Sequence, residues 1–408
     1  MFRGRCRRQK VGDKSVKNFI SKKAAGIKPS GIRKFFDIVN ETPGAISLGV
    51  GEPDFITPWN IRDAAITSVK QGYTQYTSNW GLKELRVEIA NYVKNRFGLN
   101  YDVNGEIFVT VGASEAIDVA LRAVIDDGDE VLIPDPSYVS YAPCVTLCGG
   151  VPVSIPTSAK DEFKLLPDMV ESVITPKTKA IIFPYPNNPT GAIMEREYLV
   201  KFAEVVKKHD LLVISDEIYA ELTYGDKHVS IASIDGMKDR TVYINGFSKA
   251  FAMTGWRIGY VCAPAELCKV MIKVHQYAIM CAPTFSQYAA LNALRSGEED
   301  NFSTVAEMRD EYDVRRKVLL SGLRKAGLQC FEPKGAFYMF PSVKHLGIDG
   351  DEFAERLLKE KKVAVVPGSA FGESGKYHIR CAYAASLKNI HRAIDAITEL
   401  IADIKAGR

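Results

Sequence analysis

The sequence predicts an α/β fold, with a large domain built on a mostly parallel sheet flanked by helices and a smaller α+β domain. Short apolar runs alternate with stretches of helical periodicity, which is typical of this class. The runs are apolar throughout, as in strands that are covered on both faces. The chain of 408 residues is also long enough for one large domain and a smaller partner.

Six apolar runs are the candidate strands of the large domain. They are IFVTVG (107–112), EVLIPD (130–135), AIIFPYP (180–186), LLVISDE (211–217), TVYINGFSK (241–249) and IGYVCAP (258–264). Ligands of open α/β sheets bind at the carboxyl ends of the strands. We therefore expect the chemistry at the residues that end these runs, namely Gly112–Ser114, Asp135–Tyr138, Asn187–Pro189, Asp216 and Lys249.

The last part of the chain predicts the smaller domain. A long helical pattern near 285–327 precedes GAFYMFP (335–341), which alternates like a half-buried strand. KVAVVPGSAFG (362–372) and HIRCAYA (378–384) predict two more strands, and AISLGVGEPDF (45–55) is expected to join them. The predicted units are a basic tail at 1–30, an N-terminal part of the small domain at 31–60, the large domain at 61–295 and the C-terminal small domain at 296–408.

Positive charge is concentrated in the predicted tail. Of 53 basic and 49 acidic residues, ten basic and one acidic lie at 1–30, which leaves 43 basic and 48 acidic residues elsewhere. The mildly acidic body predicts no nucleic-acid partner. The tail lacks the apolar core of a secretory signal and has some character of a mitochondrial presequence, but we favour a mobile tail or an arm on a neighbouring subunit.

Composition predicts a cytoplasmic protein without a membrane segment or a metal site. No apolar run reaches the ~18 residues that a membrane span needs. The eight cysteines include no C-x-x-C pair, and no histidine or second cysteine pair accompanies Cys144 and Cys148. Reduced thiols are therefore expected rather than zinc ligands or disulfides.

Three charged residues lie where a charge is costly unless it is paired or used. Lys249 follows a buried run, and it is either a turn lysine at the surface or an amine that forms a Schiff base. Asp216 ends an apolar run, either as a helix N-cap or as the partner of a protonated ring nitrogen. Arg380 interrupts an apolar strand, where it pairs either with the carboxylate of a ligand or with an acidic side chain of the protein.

Three other residues have weaker signals. Ser114 begins a helical pattern after a strand, where backbone N–H groups bind phosphate, although an ordinary N-cap serine explains it equally well. Arg257 could hold a phosphate in a fork of two hydrogen bonds. Tyr219, three residues after Asp216, would lie on the same side of a helical turn.

Together these segments resemble one family, the pyridoxal-phosphate-dependent aminotransferases of fold type I, class I/II. The resemblance extends from about Pro29 to the C-terminus and depends on the order of its motifs. These are SLGVGEPDF, YTQYTSNWGLKELR, VGASEAID, DPSYVSYAP, YPNNPTG, ISDEIYAELTY, NGFSKAFAMTGWRIGY, KGAFYMFP and VPGSAFG. The family implies a seven-stranded sheet in the large domain.

The resemblance also implies a role for each candidate residue toward pyridoxal 5′-phosphate. Lys249 matches the lysine that binds the cofactor covalently, and Asp216 matches the carboxylate that keeps the pyridine nitrogen protonated. The other matches are Asn188 and Tyr219 at the ring hydroxyl oxygen, Tyr138 stacked on the ring, and Ala113, Ser114, Ser248 and Arg257 around the phosphate. Many relatives carry a serine at the position of Gly246, and Ser248 is expected to replace it.

The family further implies a homodimer with shared active sites. Tyr76 matches a tyrosine that reaches the phosphate of the neighbouring subunit. Arg380 matches the residue that binds the substrate α-carboxylate, with help from Asn188 and the backbone at Gly51. The segment KVHQYAIMCAPT (273–284) matches one that approaches the substrate side chain across the dimer. It contains no arginine, and His275, Gln276, Tyr277 and Met280 predict aromatic or long apolar substrates.

The predicted activity is that of an aminotransferase (EC 2.6.1.-). An L-amino acid would pass its amino group to the cofactor, and a 2-oxo acid, 2-oxoglutarate for example, would collect it in a ping-pong mechanism. GIRKFFDIV, FPYPNNPTG and KVHQYAIMCAPT are similar to the aromatic, aspartate and N-acetyl-diaminopimelate subgroup. The alternatives are a pyridoxal-phosphate β-lyase or related synthase and, less favoured, a regulator with an aminotransferase-like domain, for which a tail of ~30 residues is short.

Overall fold

The computed structural model describes residues 19–29, 31 and 42–408. Most of the predicted basic tail, and the segment 32–41 that contains most of GIRKFFDIV, lie outside the described residues. The α-helices within the described part are α1 (Lys22–Ala25), α2 (Trp59–Lys70), α3 (Lys83–Phe97), α4 (Gly112–Val124), α5 (Tyr141–Leu147), α6 (Pro167–Glu171), α7 (Arg196–Lys208), α8 (Ala265–Ala278), α9 (Thr284–Glu299), α10 (Ser303–Lys325), α11 (Gly350–Lys361) and α12 (Leu387–Lys405).

A seven-stranded sheet forms the centre of the large domain, which confirms the predicted fold class. In spatial order its strands are β2 (Ile107–Thr110), β8 (Gly259–Cys262), β7 (Thr241–Gly246), β6 (Leu212–Asp216), β5 (Thr178–Phe183), β3 (Glu130–Asp135) and β4 (Val151–Pro156). Only β8 runs antiparallel to its neighbours, and the other pairs of this sheet are parallel.

Both faces of this sheet are buried except at the edge strand β4, which explains why the other six strands are apolar nearly throughout. Successive residues of one strand enter different cores: Ile181 packs in one hydrophobic cluster, and Ile182 packs in another that also contains Ile117 of α4. Helix α4 packs against α8, and α9 packs against α2 and α3. The sheet therefore holds its carboxyl ends rigidly between two helical layers.

The small domain has two short sheets. One pairs β1 (Ile46–Ser47) with β10 (Val363–Ala364), and the other has the order β11 (Val366–Pro367), β12 (Ile379–Ala382) and β9 (Tyr338–Met339). The pairing of β1 with β10 brings the segment at 45–55 to this domain, as predicted. The positions of the domain boundaries remain predictions.

Two strands of this domain are shorter than the sequence pattern predicts. Residues 335–341 are all buried rather than half-buried, and only Tyr338 and Met339 pair as a strand. Ala336 has a φ of +56°, which interrupts extended backbone. In 362–372, two strands of two residues each precede a 3₁₀ turn over Gly368–Phe371.

No helix among the residues described is both long enough and apolar enough to cross a membrane.

Candidate active site at the carboxyl ends of the strands

The structure brings eleven of the twelve predicted site residues to one cavity of about 330 Å³. The cavity lies where β2, β3, β5, β6 and β7 end, and where the small domain approaches the sheet. The predicted residues that line it are Gly51, Ala113, Ser114, Tyr138, Asn188, Asp216, Tyr219, Ser248, Lys249, Arg257 and Arg380. The strand ends therefore converge on one cavity, as the strand-end rule predicts for open α/β sheets.

Lys249 lies three residues after the end of β7, and its side chain points into the cavity. Its Nζ donates a hydrogen bond to the Gly51 carbonyl at 2.6 Å. Burial lowers the pKa of the amine to about 8, and the positive charges of Arg380 and Arg257 act in the same direction, whereas the Glu52 carboxylate opposes them. Lys249 is thus an enclosed amine that loses its proton far more readily than an ordinary lysine.

Asp216 is the last residue of β6 and is 6% exposed. The Tyr141 hydroxyl donates to its Oδ2 at 2.8 Å, and the Ile218 N–H donates to Oδ1 at 3.3 Å. Burial raises the pKa of the carboxyl to about 6, and the hydrogen bond from Tyr141 opposes that shift. Residues 218–221 form turns, so the alternative of an N-cap for an immediately following helix is wrong.

Arg380 lies on β12 and is 2% exposed. Its Nη1 donates to Asn188 Oδ1 at 2.9 Å, and its Nη2 donates to the Gly49 carbonyl at 2.6 Å. Its Nε is buried and makes no hydrogen bond, and no carboxylate of the described residues forms an ion pair with this guanidinium. The alternative of a structural salt bridge therefore fails within the described part of the chain, and the guanidinium can receive an anion from the cavity.

A compact anion cradle forms where β2 passes into α4. Gly112 has a φ of +74°, and a Cβ at this position would lie 2.6 Å from Nη2 of Arg257. Glycine therefore allows the guanidinium to lie directly against the helix start. Ala113 and Ser114 line the cavity in the first turn of α4, whose N–H groups have no intrahelical acceptors. This cradle has the donors and the positive charge to hold a phosphate.

Gly246 occupies the position at which many members of the resembled family carry a serine, and the reason is steric. A Cβ on Gly246 would lie 2.9 Å from Cα of Gly259 and 3.0 Å from the Ile258 carbonyl oxygen. These contacts are with backbone atoms of the adjacent strand β8 and of the residue just before it, so a serine would not fit without a shift of that strand. Ser248 lines the cavity instead and is 7% exposed.

Two pairs of tyrosines complete the walls of the cavity. The hydroxyl groups of Tyr219 and Tyr338 lie 2.9 Å apart, and the Tyr338 ring lies 4.4 Å from the Arg380 guanidinium. Tyr138 meets Tyr141 edge-to-face at 5.5 Å between ring centroids. Tyr138 therefore connects the cavity wall to the residue that holds Asp216.

Sequence reasoning missed several residues of the cavity. Tyr141, Tyr338, Glu52 and Thr254 all lie within quoted motifs, but nothing in their spacing distinguishes them from packing residues. The Thr254 hydroxyl donates to Glu52 Oε2 at 2.9 Å. Only the folded chain shows that these two segments meet.

The structure places Tyr76 outside the cavity of its own chain, with 81% of its surface exposed. Its predicted action on a neighbouring subunit stays a prediction. His275 differs from the expectation for the segment 273–284, because it is 0% exposed and its Nδ1 lies 2.6 Å from Glu115 Oε1. It cannot face a substrate while it is held there, so its suggested contact with the substrate side chain is wrong.

The site thus combines a buried amine of lowered pKa, a buried carboxylate, an anion cradle and a guanidinium with an open donor. Within the residues described, no cluster of three or more His, Cys, Asp or Glu side chains could hold a metal ion. Such a set can bind an anionic aldehyde covalently, polarise a cationic ring and orient a carboxylate.

Comparison with known proteins agrees with this inventory. The family model described as aminotransferase class I and II matches residues 43–397. The chain is 52% identical to the putative aminotransferase YugH of Bacillus subtilis, over 92% of this chain and 97% of that protein. It is 47% identical to the aspartate aminotransferase of Pyrococcus abyssi, over 93% and 97% of the two chains. The aromatic aminotransferase structure from Pyrococcus horikoshii superposes with a TM-score of 0.87 at 45% identity, covering 91% of this chain and 99% of that one.

Proposed function

Because the chain belongs to the aminotransferase class I and II family and is a transferase of EC 2.6.1.-, we propose that it moves an amino group between an L-amino acid and a 2-oxo acid by a ping-pong mechanism on pyridoxal 5′-phosphate. 2-Oxoglutarate is the proposed acceptor. The observation that carries the proposal is that the Lys249 amine lines the same cavity as the Arg380 guanidinium, which forms no ion pair with a carboxylate in the described part of the chain. One can hold the cofactor and move a proton while the other fixes the substrate.

The residues of the cavity fit pyridoxal phosphate. The start of α4 and Arg257 would hold the phosphate, because the cradle offers backbone donors and a guanidinium around one point. The ring nitrogen would meet Asp216, whose side chain is buried and held by Tyr141. The remaining roles fall to Tyr138 against the ring face, to Asn188 and Tyr219 at the ring oxygen, and to Ser248 near the phosphate.

When bound, the cofactor supplies an electron sink that stabilises negative charge at the substrate Cα. Lys249 Nζ is the group that takes the Cα proton and returns it, as a general base and then a general acid. In the free protein, burial lowers the pKa of this amine to about 8, so its neutral, proton-accepting form is more accessible than that of an ordinary lysine. Its enclosure also keeps bulk water from the transferred proton.

Arg380 orients the substrate. With Nη1 and Nη2 held by Asn188 and Gly49, the guanidinium has a fixed plane before the substrate arrives. The N–H of the buried Nε has no hydrogen-bond partner in the described part of the chain. A substrate carboxylate that replaces the present acceptors of the guanidinium would form a charge-assisted pair with it. A substrate held through its α-carboxylate presents its amino group toward the neighbouring Lys249 side of the cavity.

The proposed enzyme is a homodimer with shared active sites that works in the cytoplasm. Tyr76 and Tyr277 are 81% and 88% exposed, and Ile56 and Trp59 are 78% and 61% exposed. Exposed aromatic and apolar side chains mark a surface that another chain covers where they form a contiguous patch. Tyr76 would act at the phosphate of the partner's site. The proposal of a cytoplasmic location depends on the spacing of the cysteines, which predicts reduced thiols rather than disulfides.

The proposed donor range is broad, with aromatic amino acids among the better donors. The relatives named above include an aspartate and an aromatic aminotransferase, so family membership does not choose between them. The segment 273–284 contains no arginine to match a distal carboxylate, and His275 is occupied by Glu115. Exposed Tyr277 and Met280 remain as soft, aromatic contacts from this segment.

A donor panel with 2-oxoglutarate as acceptor tests this function. The kcat/KM values should be measured for tyrosine, phenylalanine, aspartate, leucine, alanine and N-acetyl-diaminopimelate. We expect transfer from several of these, with tyrosine and phenylalanine among the best. A preference for aspartate over phenylalanine of ~100-fold, which equals about 2.7 kcal/mol of transition-state discrimination, would refute the donor range and leave the aminotransferase assignment intact.

A further inference from the structure

Glu115 and His275 join the first turn of α4 to the end of α8. Nδ1 of His275 lies 2.6 Å from Oε1 of Glu115, and the side chains are 0% and 11% exposed. The other carboxylate oxygen of Glu115 accepts the backbone N–H of Val111, the residue just before α4. Each oxygen of this carboxylate thus has a different partner.

The contact with Val111 fixes the shape of the helix start. The first N–H groups of a helix have no intrahelical acceptors, and a glutamate that folds back onto the preceding residue satisfies one of them, as in a capping box. The same turn contains Gly112, Ala113 and Ser114, whose backbone forms the anion cradle with Arg257. The geometry of the cradle therefore depends on where Glu115 is held.

His275 supplies that restraint from another helix. Without His275, the carboxylate of Glu115 would keep only the Val111 N–H of the two hydrogen-bond partners that it has among the described residues. A glutamate one residue after Ser114 that turned toward the cavity would repel a bound phosphate. Instead Glu115 does not line the cavity, and the buried imidazole holds its carboxylate on the α8 side. The two side chains are 160 residues apart in sequence, so only the fold establishes the pair.

We propose that Glu115 and His275 are positioning residues that set the affinity of the site for the phosphate group of its cofactor without touching it. The inference depends on the proposed function, since it concerns the same cofactor. A purely structural pair would instead change the stability of the protein and the binding of every ligand alike.

The test compares pyridoxal 5′-phosphate with pyridoxal, which lacks the phosphate. Dissociation constants for the cofactor-free full chain would be measured from the absorbance change as each aldehyde binds Lys249. The dissociation constant for pyridoxal divided by that for pyridoxal 5′-phosphate isolates the contribution of the phosphate to affinity. His275→Phe keeps an aromatic ring but loses the donor, His275→Asn keeps an N–H donor, and Glu115→Gln keeps the volume but loses one acceptor.

The proposal predicts that His275→Phe and Glu115→Gln lower this ratio about tenfold, the effect typical of a lost helix cap, while pyridoxal binding changes little. His275→Asn should recover most of the native ratio. The control is Asp118→Asn, on the same helix one turn later, because Asp118 pairs with Arg122 at 2.7 Å and does not line the cavity. It should leave the ratio unchanged.

An unchanged ratio in folded variants, checked by circular dichroism, would overturn the proposal, and so would an equal loss of affinity for both aldehydes. If His275→Phe does not fold, Glu115→Gln decides on the same criteria. If the unaltered protein binds neither aldehyde at Lys249, the proposed function itself fails. Normal binding by the native chain together with unaltered ratios would reject the positioning role alone.

Discussion

Lys249 donates a hydrogen bond to the carbonyl of Gly51 at 2.6 Å. This contact connects the loop after β7 with the segment that follows β1, so it joins the large domain's sheet to the small domain's strand pair. Gly51 also lies close to Arg380, since a Cβ there would be 3.9 Å from its Nη2. The amine and the guanidinium are therefore positioned by one short stretch of backbone.

The first prediction concerns the pH dependence of Lys249 in the cofactor-free protein. Burial lowers its pKa to about 8, so the amine becomes mostly neutral above pH 8, whereas an ordinary lysine requires about pH 10.4. Only the neutral amine attacks an aldehyde. The rate of pyridoxal attachment, trapped with borohydride and mapped by mass spectrometry, should reach half its plateau near pH 8 at Lys249.

Lys164 provides the control for this measurement. It is another buried lysine, but its Nζ is held by Glu195 at 3.0 Å and it lies outside the cavity. It should show little attachment below pH 9. Preferred labelling at a different lysine, or an inflection near pH 10.4 at Lys249, would disprove the assignment of the reactive amine.

The second prediction concerns Asp216→Asn. The carboxylate should favour the protonated ring nitrogen, and an opposite charge at ~4–6 Å shifts such a pKa by one to three units. We expect a loss of about a hundredfold or more in kcat, with the fold preserved, because Oδ1 of asparagine can accept from the Ile218 N–H while its NH2 group donates to the Tyr141 hydroxyl oxygen. Near-normal turnover would show that Asp216 does not stabilise the protonated ring nitrogen of the cofactor.

The raised pKa of Asp216 predicts how the affinity for the cofactor depends on pH. Burial raises it to about 6 in the free protein, so the carboxylate is ionised above that pH and neutral below it. Affinity for the cofactor should therefore fall as the pH drops through 6, and Asp216→Asn should lose this part of the pH dependence. A native titration with no change between pH 5 and 7 would contradict the role.

The sequence predicted the position of the site better than its supporting contacts. Strand ends and uncompensated charges were sufficient to find Asp216, Lys249 and Arg380, because burial of a charge is costly wherever it occurs. The partners Tyr141 and Tyr338 could not be found this way, since a buried tyrosine has the same pattern in a core as in a site. Gly246 could be recognised as a departure, but its cause depends on the distance to Gly259, which only the paired strands establish.

The third prediction concerns shared active sites. Tyr76 is exposed and lies outside its own cavity, so its proposed target is the phosphate site of a neighbouring subunit. Mixing a Tyr76→Ala chain with a Lys249→Ala chain should restore activity, because each hybrid dimer contains one site in which both residues are native. The theoretical recovery is about a quarter of native activity if the subunits mix randomly.

The matched control mixes Lys249→Ala with Asp216→Asn. Both residues lie in the same cavity of one chain, so a hybrid of these two variants has no intact site. It should remain inactive. Absence of recovery in the Tyr76 mixture, with subunit exchange verified by mass spectrometry, would argue against sharing.

The central claim is that the protein transfers an amino group and retains it between two half-reactions. The direct measurement adds ¹⁵N-labelled phenylalanine to the purified holoprotein without an acceptor. The proposal predicts that about one equivalent of the 2-oxo acid forms per subunit and that no ammonium is released, because the amino group stays on the enzyme. Later addition of 2-oxoglutarate should give ¹⁵N-glutamate, and Lys249→Ala should do neither. Continuous release of labelled ammonium, with no label in glutamate, would show that the enzyme does not retain the amino group and would contradict the account.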